Sequence, residues 1–357
     1  MKRDVERVRA VLTPANDPAG NLTQGAATFL EPPEHALESL RRDQPTPRRV
    51  LRPGRRQLLA GAGLAAAVAV VVGGRTLAPD SEAPAPVAYT PPVLTLHPVE
   101  GQSARAFLLA FARRVERLEP ETAQGAYQYA KTWGWGLDTA GDVPGGVANA
   151  AVPTVTESWV AGDGSGRRRS AYGEPLYPNP EQRKAAEEAG LVAGTGVKDR
   201  TFGPGEFPAL DGAGWERIAP FSTEPRTLAR QLTKVNWEGG MIVYGIRDML
   251  GYAGKAGPVE PRLRAATLEV LADSVGLSVA TTTTWNGQRA VAVSQSQTLD
   301  GSTQRDTVLF DPETGYPIGS ESALLGHARH LNVSVPATLE VTETLERDSR
   351  PTTDWSL

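Results

Sequence analysis

Residues able to carry chemistry are few in this chain, and their spacing narrows them further. Its 357 residues include four histidines and no cysteine. Without a thiol there is no disulfide, no thiolate nucleophile and no cysteine-ligated metal. His35 and His97 are isolated, whereas His327 and His330 stand three apart. That spacing faces one side of a helix but opposite sides of a strand. Their surroundings read as strand, and a zinc centre would need a third ligand such as Glu321, so the pair is read as a surface feature and no metal site is expected. No serine lies in a Gly-x-Ser-x-Gly elbow or a Ser-x-x-Lys pair, and no Gly-x-x-x-x-Gly-Lys loop is present to cradle phosphate. Carboxylates are plentiful, but a pair set for glycosidic chemistry is a three-dimensional arrangement. The expectation is a protein without catalytic activity, metal or cofactor. A hydrolase using carboxylates or His327 and His330 is the enzymatic alternative.

Binding residues are easier to nominate. Tyr127, Tyr129, Trp133 and Trp135 alternate within the run Ala126–Leu137, which puts all four rings on one face of a strand, and Trp159 follows in the next run. Such rings build either a core or the wall of a ligand site; these five are the candidate ligand-binding residues. Arg167, Arg168 and Arg169 follow the turn Gly162-Asp163-Gly164-Ser165-Gly166. They read as a solvated strand resisting edge pairing, or as a contact for an anionic lipid or teichoic-type polymer.

The elements that must position these residues are α+β. Ser103–Leu118 has Phe107, Leu108, Phe111, Val115 and Leu118 on one face and predicts a helix ended by Pro120. Thr154–Ala161 and Arg167–Tyr172 predict a hairpin. Three helices follow: one capped by Thr223 and running to about Val235, one over Gly240–Leu250, and one opened by Pro261 that uses Leu263, Leu268, Leu271 and Val275 before Gly276. The remainder is strand: Val279–Trp285, Arg289–Thr298, Arg305–Phe310, Tyr316–Ala323 and Val333–Leu345. These are separated by Asn286-Gly287, Asp300-Gly301 and Asp311-Pro312-Glu313-Thr314-Gly315. The sum is an antiparallel β-meander, for which a half-barrel is one form, with helices packed on one face.

Ahead of this domain, Leu58–Gly74 is a run of 17 residues without a charge, filled by Leu, Ala, Gly and Val. As a helix it reaches about 25 Å, against a bilayer core of roughly 30 Å. Arg75 can snorkel and extend it. Arg41, Arg42, Arg48, Arg49, Arg52, Arg55 and Arg56 precede it with only Asp43 among them, while Arg75 faces Asp80 and Glu82 on the far side. The positive-inside rule then puts the N-terminus in the cytoplasm and the bulk of the chain outside the cell. Arg52, Arg55, Arg56 and Arg75 are the membrane-flanking residues, and the lipid bilayer is the first expected partner. A cleaved twin-arginine export signal is the competing reading of Gly54-Arg55-Arg56-Gln57-Leu58-Leu59, but the small-residue site Ala83-Pro84-Ala85 is followed by Pro86, which blocks cleavage.

The expected layout is a cytoplasmic head over 1–57, largely disordered despite short helices at Lys2–Leu12 and Glu34–Arg42, a transmembrane helix over 58–74, and a Pro-rich linker over 75–100. An extracytoplasmic α+β domain over 101–350 and a tail over 351–357 complete it. The head carries a net +4, leaving −8 for the rest of a chain whose total is −4. An acidic outer domain argues against nucleic acid as a partner.

Several strings match a known pattern. The head sequence Val8-Arg9-Ala10-Val11-Leu12-Thr13-Pro14-Ala15-Asn16-Asp17-Pro18, the arginine-flanked Ala/Gly/Val anchor, the hairpin from Thr156-Glu157-Ser158-Trp159 to Gly166-Arg167, and the turn Phe310-Asp311-Pro312-Glu313-Thr314-Gly315 resemble a group of actinobacterial single-pass membrane proteins of unknown function. That group is often encoded beside extracytoplasmic-function sigma factors. The architecture also resembles the half-barrel of periplasmic lipoprotein carriers. The resemblance implies an envelope binding or sensor domain that regulates a cytoplasmic sigma factor, and it brings no catalytic residues. An envelope lipid or lipoprotein carrier, with Trp133, Trp135 and Trp159 as cavity walls, is the alternative it implies.

Overall fold

The computed structural model describes residues 90–122, 124–143, 146–177, 180–189, 196–207, 220–233, 242–254, 258–299, 302–326 and 333–353. The expected head, the apolar segment 58–74 and most of the expected linker fall outside them, as do His327 and His330. Among the described residues no helix is long and apolar enough to cross a membrane.

The chain is α+β, built on one antiparallel sheet of ten strands. Among the described residues five helices accompany it: α1 Ala104–Glu116, α2 Pro180–Glu188, α3 Pro225–Thr233, α4 Ile242–Ala253 and α5 Pro261–Asp273. The strands are β1 His97–Pro98, β2 Tyr127–Val143, β3 Gly146–Ala161, β4 Gly166–Tyr172, β5 Gly196–Phe202, β6 Leu277–Thr283, β7 Arg289–Leu299, β8 Ser302–Phe310, β9 Pro317–Leu324 and β10 Ala337–Arg350. Their order across the sheet is β1-β6-β7-β8-β9-β10-β2-β3-β4-β5. Two hairpin meanders, β2–β5 and β6–β10, join where β10 pairs with β2.

Local chemistry sets the elements. Ser103 starts α1, its Oγ accepting from Ala106 N at 3.2 Å. Gly287 (φ 82°) and Gly315 (φ 70°) supply the left-handed residues of the β6–β7 and β8–β9 turns. The main core lies between the helices and one sheet face, where Leu108, Phe111, Leu228, Ile246, Leu268 and Leu271 meet Val279, Val291, Val293, Val308 and Phe310.

Some expectations change. The cap of α3 is Glu224, whose carboxylate accepts from Arg226 N and Thr227 N, rather than Thr223. Val275 is 87 % exposed, because α5 stops at Asp273 and the chain turns at Gly276 (φ 74°). Arg167–Arg169 do not guard an edge, because β4 is paired on both sides, by β3 and by β5. The last residues of the expected linker belong to the fold: β1 pairs with β6, and Leu94 is buried beside Ala280, Ala292 and Leu309.

Candidate functional site

Pairing across the sheet fixes which side chains share a face, because directly opposed residues in an antiparallel pair point the same way. On the helix side one row of partners runs Val279, Val293, Val308, Ser320, Thr342, Gly134, Thr154, Tyr172. A neighbouring row runs Gln295, Asp306, Ser322, Glu340, Gly136, Val152. The face is apolar where helices cover it, over β6, β7 and β8, and becomes hydroxyl- and glycine-rich over β9, β10, β2 and β3. Thr132, Thr154 and Thr156 are half-buried, with Thr156 Oγ1 3.1 Å from Ser170 Oγ. A Cβ added to Gly136 would meet nothing within 4 Å, so there is open space at this one position, while Ser320, Ser322, Glu340 and Thr342 on the same face are buried. Helix α4 borders it, where Arg247 Nη1 donates to Ser320 Oγ at 3.0 Å.

The opposite face carries the five predicted aromatic residues. Tyr129, Trp133, Trp135 and Trp159 are only 1–5 % exposed, and Tyr127 is half-buried. The alternation Tyr129, Lys131, Trp133, Trp135 faces Trp159, Glu157, Val155 and Pro153 of β3 in register. The rings separate into two groups. Tyr129 packs on Trp159 at 5.1 Å between centroids, whereas Trp133 and Trp135 join Leu137, Val155, Leu339 and Val341, with Trp285 6.3 Å from Trp133. Rings this enclosed act as packing groups.

Buried acids lie among them. Tyr129 Oη donates to Glu157 Oε1 at 2.9 Å, and Arg350 lies 3.6 Å over the Tyr129 ring. Burial, then the Glu157 carboxylate, pushes the Tyr129 hydroxyl far above its usual range, and burial raises Glu157 as well. Glu321 accepts from Leu94 N at 2.7 Å and from Arg305 Nη2 at 2.8 Å. Glu343 accepts from Thr284 Oγ1 at 2.6 Å and Asn286 N at 3.0 Å, and burial lifts its carboxyl to about 7. Nothing in the sequence marks these roles. The acids alternate with hydroxyl residues in the strands, as solvated residues also do, and their burial depends on what packs above them.

Among the described residues, no group of three or more His, Asp or Glu side chains stands together as a metal site would require. Glu157, Glu321 and Glu343 are each tied to separate donors: Tyr129 Oη, Leu94 N with Arg305 Nη2, and Thr284 Oγ1 with Asn286 N. Compared with protein-family models, with curated proteins and with solved structures, the chain matches none.

Proposed function

We propose that this chain is a single-pass membrane protein whose outer α+β domain binds a ligand at the cell envelope, and whose head, residues 1–57, reports to a cytoplasmic sigma factor. The tether in this reading is Leu58–Gly74 with Arg52, Arg55, Arg56 and Arg75 at its ends. Its outer sheet is taken as a half-barrel. Register shifts at Thr338/Glu340, Thr344/Glu346, Leu309/Phe310 and Ala140/Val143 support this, since bulges bend strands and strengthen twist.

The observation that carries the binding role is the change of character along a single row of paired residues. Val279, Val293 and Val308 are used by the core, whereas Ser320, Thr342, Gly134 and Thr154 continue the same face without an apolar side chain among them. A ligand rich in hydrogen-bonding groups suits that floor. An acyl chain suits it less, and the tryptophans that a lipid carrier would use are enclosed on the opposite face. The sigma-factor link is tested by purifying the full-length chain from its own membranes. Co-purification of a sigma factor that is lost on deleting residues 1–57 is the expected result; equal recovery with and without the head would overturn it.

A further inference from the structure

We propose that Arg264, Arg347 and Tyr316 form a binding site for a small oxyanion, filled in this structure by the carboxylate of Glu121 from the chain's own α1–β2 connection. Arg264 stands one turn into α5 and is fully buried, at 0 % exposure. Its guanidinium lies 4.0 Å from the centre of the Tyr316 ring, and that of Arg347, from β10, lies 4.1 Å from the same ring. The ring packs as a cation–π platform and its hydroxyl donates to Val259 O at 3.1 Å, with Glu121 Oε2 at 3.4 Å. Burial holds that hydroxyl above its usual pKa, so it adds no charge to the site.

Two observations call for an anion. The first is orphaned donors: Nε, Nη1 and Nη2 of Arg264 are all buried without a hydrogen-bond partner. A guanidinium has five N–H groups, and a buried one without acceptors is rare unless an ion or water completes it. The second is charge. Two arginines meet one carboxylate, whose Oε1 sits 3.2 Å from Arg264 Nη1 but outside hydrogen-bond geometry. One positive charge is left over. The site is also reachable through Glu121, which is 45 % exposed on its side chain; Arg347 is exposed as a residue, but burial of its guanidinium end holds its pKa below the usual value. Glu121 therefore acts as a removable internal occupant, and the planar edge of Arg264 behind it offers the fork that carboxylate and phosphate oxygens fit.

The test uses the full-length chain, with thermal unfolding read from tryptophan emission. All seven tryptophans lie beyond residue 101, in the part of the chain that carries the site. Sodium phosphate and sodium acetate are titrated separately at constant ionic strength, with chloride as the balancing salt. In Glu121→Ala the midpoint is expected to rise with either oxyanion at concentrations about tenfold lower than in the wild type, following the linkage of ligand to folded state. A response to phosphate alone assigns a phosphate-type ligand, and a response to acetate alone a carboxylate. Adding Arg347→Met, which keeps an unbranched side chain able to cover the Tyr316 ring while removing the charge, is expected to weaken the effect by at least about threefold. Should Glu121→Ala fold poorly, Glu121→Gln keeps the shape and removes the charge. Equal responses in wild type and both Glu121 variants, or an unchanged response after Arg347→Met, would overturn the assignment.

Discussion

Glu343 is a buried acid whose environment couples the stability of the sheet to pH. It is 0 % exposed, opposite Trp133 across the β10–β2 pair, and its carboxyl is lifted from 4.5 to about 7, chiefly by burial. The fold thus favours the protonated form. Its stabilising contribution is complete below the unfolded value of 4.5 and is lost as pH rises through 7. The expected loss is about 3 kcal/mol across that window. Denaturant unfolding of wild type and Glu343→Gln at steps between pH 4 and pH 8 checks it. The glutamine variant should lack most of the decline, and parallel curves would show that Glu343 titrates normally. Glu321 and Glu157 are raised by burial with the same sign, so they persist as a residual slope in the variant. The sequence does not reveal which acids are buried. In β10 the bulge between Thr338 and Glu340 resets the alternation, and only the register shows Glu343 beside a tryptophan rather than facing solvent. Arg264 left a fainter trace: it stands four and seven residues before Leu268 and Leu271, on the buried stripe of its helix.

At the scale of elements, the hairpins were legible because their turns need special residues. Asn286-Gly287 and the Asp311–Gly315 loop mark chain reversals that no neighbouring packing has to enforce. The α1 helix and the sheet-forming runs of the second meander were legible from their periodicity for a similar reason. Helix α2 and strands β1 and β5 were not. Helix α2 buries Gln182 and Ala186 rather than a stripe of large apolar side chains, β5 is mostly exposed at the sheet edge, and β1 is two residues of a proline-rich run. The aromatic row on β2 was placed correctly on one face, but whether it faces ligand or core depends on the strands and turns laid over it. Trp159 is 1 % exposed against Tyr129, with Arg167 5.8 Å from its ring. Trp159→Ala is expected to cost about 3–5 kcal/mol in stability, the range for a large aromatic side chain removed from a core. Urea titration measures this. A loss below about 1 kcal/mol would return Trp159 to the ligand-wall reading.

For the whole molecule, the sheet divides its work. One meander supplies an apolar face for helices α1, α3, α4 and α5, and the continuation of that face over β9, β10, β2 and β3 is hydroxyl-rich, with open space at Gly136. In the proposed binding role, the Arg264 site at the turn end of β8 and β9 adds a charged point of contact to that hydroxyl-rich face. Placement of this domain outside the membrane is proposed from the arginine asymmetry around Leu58–Gly74. A fusion of the full-length chain to alkaline phosphatase at its C-terminus, an enzyme active only after export, measures that placement. The expected result is a membrane-bound, active fusion that becomes inactive when Leu58–Gly74 is deleted. An inactive fusion, together with a cytosolic reporter at the same position that is active, would contradict it.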